Sequence, residues 1–184
     1  GGLVVRAAAY EERVKRVVCY GIMADILDVQ LHAIPEAMRA ELLQYLTDGA
    51  VAELNDFVSR ATSSSLLLQW ALTQGRHVTG KQTPFEIFNA YRAYETASVS
   101  PLVTQDVLLL HGDGDHYIPN RQLVDQIAAL TQVHSLTARV FTALEYGQNH
   151  CQVGNYGLAL NEITSWLDRL RRRDDVFAEV PVPR

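Results

Sequence analysis

The sequence predicts an α/β fold, a parallel sheet flanked by helices with a further block of helices inserted between two of its strands. Three observations predict it. Short β-branched or aliphatic runs occur at Val14 to Tyr20, Val107 to Leu110 and Ala138 to Leu144, each beside a helical pattern. From the second run onward the order is strand, helix, strand, helix, which is that of a right-handed parallel unit. Between the first and second runs, residues 26–98 read as several helices with no strand.

In chain order, Gly2 to Tyr10 is a small-residue helix that ends at the polar turn Glu11-Glu12-Arg13. The first strand, VKRVVCY over 14–20, is short and apolar enough to be covered on both faces, as in a parallel sheet. Pro35 to Leu46 places Met38, Leu42 and Tyr45 on one helical side, and Val51, Leu54, Val58 and Ala61 continue in a second helix. Ser63-Ser64-Ser65 reads as a loop, and Leu66 to Leu72, with Trp70, as a third apolar stretch. A fourth helix opens at Thr83-Pro84-Phe85-Glu86, where Thr83 can cap, Pro84 fits the first helical position and Glu86 can close a capping box. The second strand is bounded by Asp106 and the turn His111-Gly112-Asp113-Gly114. A helix after Pro119 carries Leu123, Ile127 and Leu130, and the third strand ends at Glu145-Tyr146-Gly147. The last helix carries Leu160, Ile163, Leu167 and Leu170. The segments divide as 1–25, 26–98 and 99–184: core, helical insertion and core again.

The chain has 184 residues, 48% of them hydrophobic, enough to bury a real core. A net charge of -5 argues against nucleic acid as a partner, because counterion release needs a basic face. The one basic cluster, Arg171-Arg172-Arg173, reads as a solvated helix end, where cations suit the macrodipole. Cys19 and Cys151 form no metal-spaced motif, and a reducing, cytoplasmic setting is expected. No apolar run approaches the roughly 20 residues that span a bilayer, so no membrane partner is expected.

Two segments carry chemistry. Gly112-Asp113-Gly114-Asp115-His116-Tyr117-Ile118-Pro119 follows the second strand, and Glu145 to Cys151, with His150, follows the third. In a parallel sheet, catalytic groups collect at the carboxyl ends of strands. A carboxylate there can fix the tautomer of a histidine and stabilise its imidazolium. Asp and Gly are also ordinary turn formers, and a solvated turn explains the first segment taken alone. Two such segments on consecutive strand ends favour a catalytic pair, Asp115 with His150. Asp115 is preferred to Asp113, which sits inside the Gly-bounded turn. His116 reads as a pocket or packing residue, and His32, His77, His111 and His134 as surface or turn residues.

The string Val107 to Pro119 (VLLLHGDGDHYIP), followed by Asn149-His150-Cys151, resembles the acid and histidine segments of α/β-hydrolases. It is similar to a lid-bearing branch that includes dihydropseudooxynicotine hydrolase and the fungal polyketide chain-shortening hydrolases. Gly1 to Glu11 resembles the helix after the nucleophile elbow, G-x-S-x-G-G in that branch, and Trp70 to Pro84 resembles its lid. The resemblance implies the C-terminal part of a hydrolase sheet with 26–98 as lid, and a Ser-Asp-His triad supplied here by Asp115 and His150. It places the serine two positions before Gly1. It also implies a partner, the N-terminal hydrolase half, in the same or a separate chain, and a second copy as a homodimer is a further candidate. The substrate implied is a small carbonyl compound, apolar or aromatic, cleaved at an ester or at a C–C bond beside a ketone, with Trp70, His116 and Tyr117 as binding residues. No cofactor and no metal are implied. An inactive binding domain, or acyl transfer through the same residues, are the alternatives.

Overall fold

The computed structural model describes residues 1–32, 34–63 and 65–179; Ser64 of the expected loop and residues 180–184 of the last segment lie outside them. Two compact units emerge, one of Gly1–Ile22 with the chain from Thr96 onward, the other of Met23–Glu95.

The first unit is the α/β core. Its elements are α1 (Gly2–Ala8), β1 (Arg16–Tyr20), β2 (Asp106–Gly112), α7 (Arg121–Ala129), β3 (Ser135–Phe141) and α8 (Tyr156–Glu179). The strands pair in the order β1-β2-β3, both pairs parallel, with Val17 beside Val107 and Val107 beside Leu136. Every residue of the central strand β2 is buried, as expected for a parallel strand covered on both faces. The two flanking strands are covered less completely, and in β1 only Val17 and Cys19 are fully buried. One face packs Val5, Ala8, Val107, Leu109, Leu123 and Leu130; the other packs Leu108, Leu110, Phe141, Ala159, Trp166 and Leu170.

Several details depart from the sequence pattern. The third strand is Ser135–Phe141, three positions earlier than the run Ala138 to Leu144 suggests. Thr142 instead closes a capping box with Glu145 over a turn of 3₁₀ helix at Ala143–Glu145, and Leu144 is 93% exposed. In α7, Leu123 is buried but Ile127 is exposed, and the inward face is completed by two glutamines, Gln122 and Gln126. Gln126 can be there because its amide is satisfied: it accepts from Thr96 Oγ1 at 2.8 Å and donates to Ser100 Oγ at 2.9 Å. Along α8, Leu160 and Leu167 face solvent, while Ala159, Trp166 and Leu170 are buried.

In the basic cluster Arg171 and Arg172 are exposed, but the cluster is not at a helix end and its third member is half-buried. α8 continues to Glu179, and Arg173 forks onto Asp106 with both bonds at 2.8 Å. That carboxylate, 6% exposed, also accepts from Ser135 Oγ at 2.6 Å. Arg173, then Ser135, hold its pKa down at about 2 against the opposing effect of burial. The ion pair pins α8 to the start of β2.

The second unit is helical: α2 (Ile26–Leu31), α3 (Glu36–Asp48), α4 (Val51–Thr62), α5 (Leu66–Thr79) and α6 (Pro84–Tyr91). Side chains start three of these helices. Asp25 accepts from the Asp28 N–H, Ser65 accepts from the Leu68 N–H, and Thr83 with Glu86 forms the full capping box that the sequence predicts. Leu27, Leu31, Leu42, Leu46, Leu54 and Val58 form its core. An isolated antiparallel bridge between Asp25 and Glu95 joins its two ends.

Candidate active site

The site lies at the carboxyl ends of β2 and β3, where a parallel sheet leaves backbone groups and loop side chains free for chemistry. β2 runs directly into Asp113–Asn120, the acid loop. Backbone bonds hold the first half of this loop: Asp113 N–H donates to Phe141 O at 3.0 Å, and Gly114 N–H to Gln148 O at 3.0 Å. Gly112 makes the close approach possible, because a Cβ there would fall on the backbone of Gln148 and Asn149.

Asp115 points back from this loop with its side chain 2% exposed. Its Oδ1 accepts the N–H groups of Tyr117 at 2.8 Å and Ile118 at 2.9 Å. Its Oδ2 lies 2.9 Å from His150 Nδ1. Burial works to raise the pKa of this carboxyl. The bonds from His150, Ile118 and Tyr117 outweigh it, so the group sits below its ordinary value and stays ionised at neutral pH. Three hydrogen bonds, two at Oδ1 and one at Oδ2, hold the carboxylate in one orientation.

His150 opens a turn of 3₁₀ helix whose next residues, Cys151 and Gln152, both adopt a left-handed backbone at φ 50. Such a conformation costs about 1 kcal/mol or more for a residue with a side chain. Tyr20, at the end of β1, steadies it by donating its hydroxyl to Cys151 O at 2.7 Å. Gly21 follows Tyr20, and the position its Cβ would occupy is 3.9 Å from His150 Cε1 and 3.8 Å from Cys151 Sγ. Gly1 in turn rests on the Gly21 carbonyl. The start of α1, the end of β1 and the histidine turn therefore converge.

Among the other residues singled out in the sequence, Tyr117 stands edge-on to His150 with ring centres 5.2 Å apart, and His116 does so at 6.4 Å. Trp70 lies on α5 in the helical unit, 61% exposed. His111, expected at a surface or turn, is buried at 2% exposure on β2, with Nε2 2.7 Å from Asn120 Oδ1. Neither His111 nor Asn120 carries a local signal of this pairing, because it forms only when the acid loop folds back over the strand. Within the helical unit, Leu31, Leu42, Phe57, Leu72, Phe88 and Tyr91 line an apolar cavity of about 80 Å³. Among the described residues, no group of three or more His, Cys, Asp or Glu side chains is placed to hold a metal ion, and no helix is long and apolar enough to cross a membrane.

No family model and no curated protein matches this chain. Among solved structures it is similar to the enol-lactonase from Burkholderia xenovorans LB400, with 18% identity and a TM-score of 0.44. The likeness covers 92% of this chain and 62% of that one.

Proposed function

We propose that this chain carries the acid and the general base of a serine hydrolase of the α/β-hydrolase type, in the lid-bearing branch its sequence resembles. The observation that carries the reading is the 2.9 Å bond between Asp115 Oδ2 and His150 Nδ1, at the carboxyl edge of a parallel sheet. With its Nδ1–H given to the carboxylate, His150 keeps the Nε2 lone pair for a nucleophile. Nε2 takes the serine hydroxyl proton as the serine oxygen attacks the substrate carbonyl carbon. The tetrahedral adduct then collapses, the bond to the leaving group breaks, and the leaving oxygen or carbon takes that proton from His150. A water molecule repeats the sequence on the acyl-enzyme, releasing the acid and returning the proton to serine. Asp115 remains ionised throughout and stabilises the imidazolium.

The serine in this proposal stands two positions before Gly1. The approach of Gly1 to the Gly21 carbonyl, and of the space over Gly21 to His150 Cε1, supports a nucleophile beside the imidazole. The edge of β1 away from β2 is proposed to pair with the N-terminal half of the hydrolase sheet, in the same polypeptide or a separate chain. The substrate is a small apolar or aromatic carbonyl compound, an ester or a ketone cleaved at the adjacent C–C bond. His116 and Tyr117 are proposed to contact it beside the imidazole. Residues 26–98, with Trp70, are proposed as the lid.

The test is hydrolysis of chromogenic esters by the protein including the segment before Gly1. Asp115→Asn should lower turnover by about 10⁴-fold through loss of the correct tautomer, and His150→Ala by a similar factor. Activity that stays within about tenfold of wild type after either change would refute the assignment.

A further inference from the structure

His111 takes no part in the steps above, yet it is buried at the end of β2, directly under the acid loop. Asn120, at the other end of that loop, occupies the N-cap of α7 and makes no capping bond. An asparagine there ordinarily accepts an N–H from the first helical turn. Its amide is used elsewhere: Nδ2 donates to Asp113 O at 3.2 Å, and Oδ1 faces His111 Nε2 at 2.7 Å. With Nδ2 committed to a carbonyl, Oδ1 is the acceptor, so His111 carries its hydrogen on Nε2. His111 Nδ1 is buried and meets no partner among the described residues.

One amide thus joins the first residue of the acid loop to the last, and the imidazole fastens that amide to the central strand. The backbone bonds to Phe141 and Gln148 fix only Asp113 and Gly114. The second half of the loop supplies the two N–H groups that fill Asp115 Oδ1, and His111 gives it a polar anchor to the strand. We propose that His111 is a positioning residue, which holds the acid loop closed through Asn120 and so keeps Asp115 Oδ2 opposite His150 Nδ1. The inference rests on the hydrolase reading of that pair. Asn120 is surface-exposed and water can replace its partner at Oδ1, whereas the buried His111 donor has no such substitute.

The experiment is NMR of the ¹⁵N-labelled full protein, wild type against His111→Leu, His111→Gln and Asn120→Ala. Wild type should show His111 as the Nε2–H tautomer and a downfield, slowly exchanging His150 Nδ1–H. Leucine keeps the apolar bulk but removes the donor. In His111→Leu, the Tyr117 and Ile118 amides should exchange about tenfold faster, and the His150 Nδ1–H resonance should broaden or vanish. His111→Gln, which restores a donor, should recover both signals at least in part. Asn120→Ala cuts the same link from the surface and covers the case in which His111→Leu does not fold; it too should speed exchange at Tyr117 and Ile118. Unchanged amide exchange in Asn120→Ala, or glutamine no better than leucine in a folded pair, overturns the proposal. Failure of the hydrolase reading looks different: wild type would cleave no ester, while the variants would still loosen the loop.

Discussion

Arg173→Met should destabilise the protein by about 2–3 kcal/mol at neutral pH, with a loss that shrinks in acid. Arg173 and Asp106 share two bonds at 2.8 Å, with the carboxylate 6% and the guanidinium 27% exposed. Lowering the Asp106 pKa from 3.8 to about 2 corresponds to about 2 kcal/mol of folded-state preference for the charged form. Removing the arginine also leaves a buried carboxylate without its guanidinium, which adds to the cost; Ser135 and His134 beside it and the partial exposure of Arg173 keep the sum near the lower end for buried pairs. The sign follows from the depression. The stabilisation is complete above the unfolded carboxylate value, near 4, and is lost as pH falls through about 2. Urea denaturation of wild type and variant, at neutral pH and at several points between about pH 5 and 2, reads both quantities. The two curves should converge in acid, and adding Asp106→Asn to the variant should recover part of the loss. Parallel curves across the range, or equal midpoints at neutral pH, would refute the reasoning.

Three further outcomes are expected. Gly112→Ala drives a Cβ into the Gln148 backbone and should cost about 1–3 kcal/mol, read as a lower melting temperature; an unchanged melt would mean the two loops are not held as described. Trp166 is buried between α8 and the sheet with its indole N–H on Thr137 Oγ1 at 3.2 Å, so Trp166→Ala should cost about 3–5 kcal/mol in denaturant titration. Burial pushes the Cys19 thiol up to about 11, while Cys151 is only half-buried and its thiol is raised by burial and the Asp115 charge. Mass spectrometry after brief alkylation of the native protein should find Cys151 modified before Cys19, and the reverse order would contradict the packing of β1.

How much of this was legible in the residues depends on where each partner lies in the chain. β2 reads directly because burial on both faces leaves an unbroken apolar run, Val107 to Leu110. β3 is half covered, so its sequence alternates weakly, and the run drifted onto Thr142-Ala143-Leu144, which the local capping box takes for a 3₁₀ turn. On the inner faces of α7 and α8, Leu123, Leu130 and Leu170 were legible, but Gln122 and Gln126 were not because they are polar, nor Trp166 because it falls between the leucines of the pattern. Arg173 and Asp106, 67 positions apart, could not be paired before the fold was known. Asp115 and His150 stood out because each follows a strand end, and parallel strands bring their carboxyl ends to one edge. His111 did not, since its side-chain partner Asn120 is reached by the loop turning back on the strand.

The central claim is that Asp115 and His150 serve a serine nucleophile, and active-site labelling tests it most directly. The protein including the segment before Gly1 should react with a fluorophosphonate at one serine, mapped by peptide mass spectrometry to the position two before Gly1. His150→Ala should abolish the labelling, and Asp115→Asn should slow it sharply. Absence of labelling in the wild type, or equal labelling in wild type and His150→Ala, would contradict the account.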